Sequence, residues 1–306
     1  MEKIKLAVIG VGHLGMHHAR IYSHLKNATL VGVCDIDERK AKRIARANKT
    51  CYYTDYRELI GKINAASVVV PTKLHHKIAK DLLANNINVL IEKPMTTTLQ
   101  EADELLKLAE LRSLTLQVGH VERFNAAVRA IQDLATGPRF IECHRLGPFS
   151  KRGTDVGVVL DLMIHDIDII LGLVNSPIEK IDAIGVSVLT PHEDIANARI
   201  TFRNKAVADL TASRLTPEAQ RKIRIFVEDA YISLDYVKQL ASIYRKEGGR
   251  IAQRMINIKK EEPLKKELES FVECVHKKTK PLVSGREGRD ALAVALDIID
   301  RIKNQK

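Results

Sequence analysis

Tryptophan is absent from the 306 residues, and aromatic side chains of every kind make up only 4% of the chain. Proteins that bind nucleic acid combine a basic stripe with interleaved aromatic residues on which bases stack. The scarcity of aromatic residues therefore argues against a nucleic-acid binder, although the net charge is +11. Lys and Arg are spread along the chain, which indicates a solvated basic surface that attracts anionic small molecules.

Cysteine is also scarce, and long apolar runs are missing. The four cysteines form no C-x-x-C pair and have no His at ligand spacing, so we expect free thiols and no metal site. No run approaches the ~20 apolar residues that span a bilayer. The N-terminal stretch MEKIKLAVIG leads directly into a strand pattern rather than a signal peptide. These features predict a cytoplasmic protein. The four cysteines are Cys34, Cys51, Cys143 and Cys274.

The pattern of apolar residues changes near residue 122, which predicts two domains. Before it, short runs of Val, Ile and Leu such as IKLAVIG and INVLIEKP alternate with stretches of helical periodicity. This pattern predicts a doubly wound parallel sheet, a Rossmann domain, over residues 1–122. Beyond it, closely spaced strand-like segments predict an α+β domain with a large, mostly antiparallel sheet over residues 123–306. The final helix, DALAVALDIIDRIK, is a candidate to pack back on the first domain.

The stretch VIGVGHLG places three glycines between the first predicted strand and the first helix. Gly10 allows a tight turn, Gly12 lets a pyrophosphate approach the backbone, and Gly15 lets the helix lie close to the strand. The helix N-terminus offers N–H groups and a positive dipole end to phosphates. We therefore predict that this turn binds a dinucleotide through Gly10, Gly12, His13, Leu14 and Gly15.

Asp35 ends the second predicted strand, twenty residues after Gly15. A carboxylate at this position accepts hydrogen bonds from both adenosine ribose hydroxyls and repels a 2′-phosphate, which favours NAD over NADP. Arg39, four residues further on, keeps NADP as the weaker alternative, because an arginine there can receive a phosphate.

Two further stretches carry side chains suited to proton transfer. Lys93 lies between Glu92 and Pro94 at the end of a predicted strand, where it is either a surface residue or a functional one. Asp161 and His165 are four residues apart in VVLDLMIHDIDII and share a helix face. A carboxylate beside an imidazole fixes its tautomer, as a general base needs, although the same pair also suits a helix start followed by a core histidine.

Taken in order, the motifs VIGVGHLG, PTKLHH, EKP, VGHVERFN and LDLMIHDID resemble the Gfo/Idh/MocA family of oxidoreductases over nearly the whole chain. The resemblance implies that Lys93, Asp161 and His165 are catalytic. It also implies that Pro71, Thr72, His75 and Glu92 lie on the cofactor side. The family often has Gly two residues before its His, whereas this chain has Met163, so we expect slightly different helix packing there.

The chemistry implied by the resemblance is oxidation of a secondary alcohol. His165 would act as base with Asp161 orienting its ring, while Lys93 would bind the same oxygen or share the role of base. The sequence leaves this choice open.

The segments VGHVERFNAAVRAI and SRLTPEAQRKIRIFVEDAYISLDY resemble a branch that oxidises the 3-hydroxyl of UDP-N-acetylglucosamine. A dehydrogenase of a free sugar or cyclitol, and a non-catalytic dinucleotide sensor, remain alternatives. One sheet face is expected to pair with another subunit in a dimer or tetramer. The candidate substrate-binding residues are Lys93, Arg123, Asn125, His165 and Arg214, with Arg221, Lys222 and Arg224 as further cations that equally suit a solvated strand face.

Overall fold

Six parallel strands form one sheet and eight mostly antiparallel strands form a second one in the computed structural model, which describes residues 3–150 and 156–304. The chain divides into two compact units, residues 1–121 with 262–289 and residues 122–261 with 290–306. None of the helices within the described residues is long and apolar enough to cross a membrane.

The first unit alternates strands and helices, as its apolar periodicity predicts. Its strands pair in the order β3-β2-β1-β4-β5-β6, the doubly wound order with the first strand near the middle. Buried runs of Val, Leu and Ile form the central strands because helices cover both faces of such a sheet. The elements are β1 Ile4–Ile9, α1 His13–Tyr22, β2 Ala28–Cys34, α2 Glu38–Ala47, β3 Cys51–Tyr53, β4 Ala65–Val68, α3 His75–Ala84, β5 Asn88–Glu92, α4 Leu99–Leu111 and β6 Leu116–Gly119.

The second unit contains a sheet in the order β14-β13-β12-β11-β7-β10-β9-β8, with one parallel pair, β7 and β10. Alternate residues of its central strands are buried against helices, while those between them lie on the opposite face. The remaining elements of the chain are α5 Ala126–Ile131, β7 Phe140–Leu146, α6 Ile164–Val174, β8 Ile178–Val186, β9 Ile195–Phe202, β10 Val207–Ser213, β11 Gln220–Phe226, β12 Ala230–Asp235, β13 Leu240–Glu247, β14 Arg250–Ile256, α7 Pro263–Lys277 and α8 Gly285–Lys303.

This architecture confirms the predicted α/β class with a second, mostly antiparallel sheet. Two strands, β3 and β14, lack a sequence pattern that would predict them. β3 has three residues, too few to show a period, and β14 is an edge strand whose residues are mostly exposed. Helix α7 belongs to the first unit, where Leu268, Phe271 and Val272 join its core.

Candidate functional site

The glycine turn after β1 is built so that only one of its three glycines faces open space. Gly10 has a positive φ of 88°, and a Cβ there would lie 2.2 Å from the carbonyl oxygen of Val69. A Cβ on Gly15 would lie 1.9 Å from the carbonyl oxygen of Gly10. Gly12 has no described heavy atom within 4 Å of the corresponding position. Gly10 and Gly15 therefore shape the turn, and Gly12 leaves backbone accessible to a ligand.

Helix α1 begins immediately after Gly12 with an N-terminus suited to an anion. Among the described residues, no side chain caps it by a hydrogen bond, and its first turn holds no acidic residue. Its first N–H groups and positive dipole end are therefore available to a phosphate. His13 and Leu14, which the sequence places in the dinucleotide site, are exposed at this end.

Asp35 is held beside the glycine turn by backbone hydrogen bonds. Its Oδ2 accepts from the N–H of Val11 at 2.9 Å, and its Oδ1 accepts from the N–H of Asp37 at 3.0 Å. Each carboxylate oxygen keeps a second lone pair for a further donor. The next residue, Ile36, is 92% exposed, an unusual position for a large apolar side chain directly beside this carboxylate. Sequence reasoning missed Ile36, because its apolar character alone reads as part of the strand.

The loops after β4 and β5 are joined through His75. Its Nδ1 lies 2.9 Å from the carbonyl oxygen of Pro94, and its Nε2 lies 2.8 Å from that of Val70. The imidazole is buried, and burial lowers the pKa of His75. His75, which was predicted to lie on the cofactor side, therefore has both ring nitrogens within hydrogen-bond distance of backbone carbonyl oxygens. Pro71 is exposed and Thr72 is half-buried in the same loop.

The E-K-P stretch lies where β5 ends. Glu92 is buried, with its Oε2 accepting from the N–H of Lys93 at 3.3 Å, while Lys93 itself is half-buried. The peptide bond between Lys93 and Pro94 is cis.

In the second unit, the helix that carries Asp161 and His165 starts on a carboxylate. The backbone N–H of Val159 donates to Oε1 of Glu193 at 3.3 Å, and that of Val158 donates to the carbonyl oxygen of Glu193 at 3.0 Å. A Cβ on Gly157 would lie 1.9 Å from the Glu193 carboxylate, so the glycine makes room for it. Glu193 therefore fixes where this helix begins.

The predicted α-helix through this segment contains a π-helical turn, Val159–Met163, before α6 continues regularly. The turn holds Asp161, and such turns are frequent at functional sites. Asp161 and His165 are both half-buried, and Met163 is fully buried in the core of this unit. The pattern of apolar residues is the same for π and α turns over so short a stretch, so the sequence could not distinguish them.

A cavity of about 190 Å³ at this end of the second sheet brings Asp161 together with Arg214 and Arg221. Arg145, Ser150 and Ser213 also line it. A neighbouring cavity of about 520 Å³ shares Arg221. It adds two further cations, Lys222 and Lys238. One predicted catalytic carboxylate and five basic side chains therefore line the two cavities at one end of this unit.

Arg145 was not predicted from the sequence. Its guanidinium donates to both oxygens of Asp166 at 2.9 and 2.8 Å, and to Oε1 of Glu122 at 3.1 Å. The ring of Tyr236 lies 5.2 Å from its Cζ. Burial alone would lower the pKa of Arg145, but the Asp166 carboxylate outweighs it and raises the pKa well above its ordinary value. This buried network fixes the first turn of α6, next to His165.

Of the five predicted substrate-binding residues, Arg214 lines the smaller cavity, whereas Lys93, Arg123, Asn125 and His165 line neither. Arg123 is buried and donates to the carbonyl oxygen of Asp168 at 3.2 Å. Asn125 is buried, donates to Glu122 at 3.2 Å, and accepts from the N–H of Ala127 at the start of α5.

The other predicted cations have mixed surroundings. Arg214 donates to the carbonyl oxygen of Val156 at 2.7 Å while lining the smaller cavity. Arg224 is exposed and pairs with Glu142 at 3.0 Å on the neighbouring strand. Within the described ranges, no group of three or more His, Cys, Asp or Glu is arranged to hold a metal ion.

The two halves of the chain match two family models. Residues 4–120 match a family described as an oxidoreductase family with an NAD-binding Rossmann fold, and residues 123–233 match the GFO/IDH/MocA C-terminal domain. UDP-N-acetylglucosamine 3-dehydrogenase of Acidithiobacillus ferrooxidans is 34% identical over 305 residues, 97% of each chain. Its crystal structure has a TM-score of 0.95 and covers 99% of both chains at 33% identity.

More distant proteins share the fold or part of the sequence. Myo-inositol 2-dehydrogenase of Thermotoga maritima is 24% identical, covering 94% of this chain and 93% of that protein. The structure of aldose-aldose oxidoreductase from Caulobacter crescentus has a TM-score of 0.87 at 18% identity, covering 100% of this chain and 99% of that one, a likeness that shows the fold alone.

Proposed function

This chain belongs to the Gfo/Idh/MocA family of oxidoreductases, and from that premise we propose that it is an NAD-dependent dehydrogenase that oxidises the 3-hydroxyl of UDP-N-acetylglucosamine to the 3-keto sugar. The observation that carries the substrate is the cavity that Asp161 shares with Arg145, Arg214 and Arg221. A carboxylate next to several guanidinium groups suits a sugar that carries phosphates. The full-length similarity to a dehydrogenase of that sugar nucleotide supports the same choice.

The residues of the first unit fit a dinucleotide without a 2′-phosphate. Gly12 leaves the turn open and the start of α1 has no side-chain cap among the described residues, which suits a pyrophosphate. The fixed carboxylate of Asp35 suits ribose hydroxyls and disfavours a phosphate. Ile36, exposed beside it, offers an apolar contact to an adenine ring. We therefore propose NAD as the cofactor, bound by residues 1–122, with residues 123–306 binding the substrate.

When bound, NAD supplies the hydride acceptor, and the chain supplies position and proton transfer. In the proposed reaction His165 takes the proton of the 3-hydroxyl as its carbon loses hydride, and Asp161 orients the imidazole. Lys93 donates a hydrogen bond to the same oxygen and stabilises the negative charge that develops there. A deprotonated Lys93 acting as the base is the alternative arrangement of the same three groups.

The diphosphate of the substrate needs cations beyond the sugar pocket. We propose that Arg221 and Lys222, which line the larger cavity, bind these phosphates.

We propose the cytoplasm as the compartment in which this protein acts, because a UDP-sugar and NAD are both available there.

The open face of the second sheet supports a homo-oligomer. An aromatic row crosses four adjacent strands on that face, with ring centroids 5.7, 5.3 and 4.2 Å apart. Aromatic residues are enriched in protein–protein interfaces, where each buries a large apolar area. We propose that a second copy covers this row, giving a dimer or tetramer, and light scattering that returned a monomer mass would refute it. The row consists of Phe140, Phe226, Tyr231 and Tyr244.

The direct test of the proposed function is an assay of purified protein with NAD and one candidate alcohol at a time, followed by absorbance of the reduced nicotinamide. We expect turnover with UDP-N-acetylglucosamine and little with glucose or myo-inositol. Turnover with myo-inositol alone would favour a cyclitol dehydrogenase, in keeping with the more distant inositol relatives. Binding of NADH without turnover of any of the three would favour a dinucleotide sensor.

A further inference from the structure

A buried polar cluster lies behind the E-K-P stretch, inside the first unit. The imidazole of His18 on α1 is fully buried, and its Nε2 lies 3.2 Å from Oε1 of Glu92. Neither ring nitrogen meets hydrogen-bond geometry with a described residue, so the approach of Nε2 to Glu92 is a close polar contact rather than an aligned hydrogen bond. Burying an imidazole and a carboxylate costs free energy unless the two groups interact. A buried pair of this kind is therefore a candidate for a functional role.

The space for this contact is made by a neighbouring glycine. Gly119 on β6 lies beside Glu92 in the sheet, and a Cβ on it would lie 2.9 Å from the Glu92 carboxylate. The carboxylate thus lies over backbone, with one oxygen toward His18 and the other accepting from the N–H of Lys93. Its orientation is determined by groups on three separate elements.

Other polar groups face the same cluster. The hydroxyl of Tyr22, one turn after His18 on α1, lies 2.7 Å from Oγ of Ser67. Burial raises the pKa of Tyr22 well above its ordinary value, and the carboxylates of Glu267 and Glu92 add to that rise. Glu267 on α7 is fully buried as well. His18 is therefore the basic side chain that α1 presents to a region holding two carboxylates.

We infer that His18 is a positioning residue for Lys93. Its imidazole packs against the Glu92 carboxylate and limits where that carboxylate can lie, and the carboxylate accepts a hydrogen bond from the Lys93 N–H. Because His18 lies on the helix whose N-terminus forms the dinucleotide turn, the contact links that turn to the proposed catalytic lysine. The inference rests on the proposed role of Lys93.

The test compares three variants of the full-length protein. His18→Leu removes the imidazole at similar volume, and His18→Gln keeps an N–H at the end of the side chain. Tyr22→Phe is the matched control, since it removes a buried hydrogen bond from the same helix and leaves the contact between His18 and Glu92 intact. For each, kcat and KM are measured with UDP-N-acetylglucosamine and NAD.

We expect His18→Leu to lower kcat about 10- to 100-fold, because misplacing a reacting group by about 1 Å can cost 10²-fold. KM for NAD should stay within about threefold, His18→Gln should recover most of kcat, and Tyr22→Phe should keep it. Equal losses in His18→Leu and Tyr22→Phe would show a structural role only and overturn the inference, as would unchanged kcat in His18→Leu.

A second measurement does not depend on the substrate. Brief treatment with acetic anhydride, followed by peptide mass spectrometry, gives the acetylation rate of Lys93 relative to exposed Lys107. This ratio should change at least threefold in His18→Leu and stay unchanged in Tyr22→Phe. If wild-type protein fails to oxidise UDP-N-acetylglucosamine, the proposed function fails while this ratio still decides the role of His18. Should His18→Leu not fold, Glu92→Gln is expected to change the ratio likewise, and an unchanged ratio there would overturn the inference.

Discussion

The two units present their candidate binding groups by opposite physical means. In the first unit, the candidate site is formed mainly by backbone groups. Glycines shape the turn, the N–H groups at the start of α1 face the ligand site, and a backbone N–H donates to Asp35. In the second, buried side chains hold one another, as Arg145 does with Asp166 and Glu122. A backbone site depends on which residues can adopt a conformation, whereas a side-chain site depends on every partner being present.

The largest expected effect concerns the residue on which the proposed chemistry depends in the first unit. Lys93→Ala should lower kcat by about 10²- to 10⁴-fold, because a group that stabilises charge or transfers a proton at the reacting oxygen is lost. NADH binding, followed by fluorescence titration, should change little. Lys107→Ala, an exposed lysine on α4, serves as the control with unchanged kcat. A Lys93→Ala enzyme that retains a third of the activity would contradict the mechanism.

A side-chain network should fail when one member is removed. Arg145→Met leaves the carboxylates of Asp166 and Glu122 buried without their cation, which should lower the free energy of unfolding by about 3–5 kcal/mol. The control, Arg224→Met, breaks an exposed ion pair with Glu142 and should cost about 0–1 kcal/mol. Urea unfolding followed by circular dichroism measures both. Similar small losses in the two variants would show that the buried network contributes little.

The backbone site should separate folding from binding at two neighbouring glycines. Gly15→Ala forces a Cβ against the Gly10 carbonyl oxygen, so α1 must shift, at a cost of about 1–3 kcal/mol in stability. Gly12→Ala meets no described atom, so the melting temperature should hold while NADH binding weakens about tenfold, or ~1.4 kcal/mol. Loss of stability in Gly12→Ala, or tight NADH binding by it, would contradict the assigned roles.

The smallest effect concerns an acid-sensitive turn in the second unit. Asp194 accepts hydrogen bonds from the backbone N–H groups of Val188, Leu189 and Thr190. Burial raises the pKa of Asp194, but these donors outweigh it and lower the pKa from 3.8 to about 2. The stabilisation is therefore complete above pH 3.8 and is lost as the pH falls towards 2. In Asp194→Asn, the free energy of unfolding in urea should therefore fall less steeply between pH 5 and pH 2.5 than it does in the wild type. An equally steep fall in the variant would show that protonation of Asp194 does not cause the loss of stability in acid.

The same contrast explains what could be predicted from the sequence. The glycine turn and Asp35 follow from local spacing, because a strand, a turn and a helix determine where they lie. The Arg145 network joins residues of β7, α6 and the segment before α5, and an arginine inside a strand reads equally well as a solvated side chain. Arg123 and Asn125 illustrate the converse, since polar side chains suited to a substrate are engaged by buried protein groups.

The contact between Gly157 and Glu193 sets a rule for the evolution of this chain. A side chain at position 157 and a carboxylate at position 193 would occupy the same volume. Homologues should therefore change the two positions together: those that keep an acid at 193 keep glycine at 157, and those that gain a larger residue at 157 start the helix with a different acceptor. Such paired replacement leaves a covariation signal that an alignment can reveal.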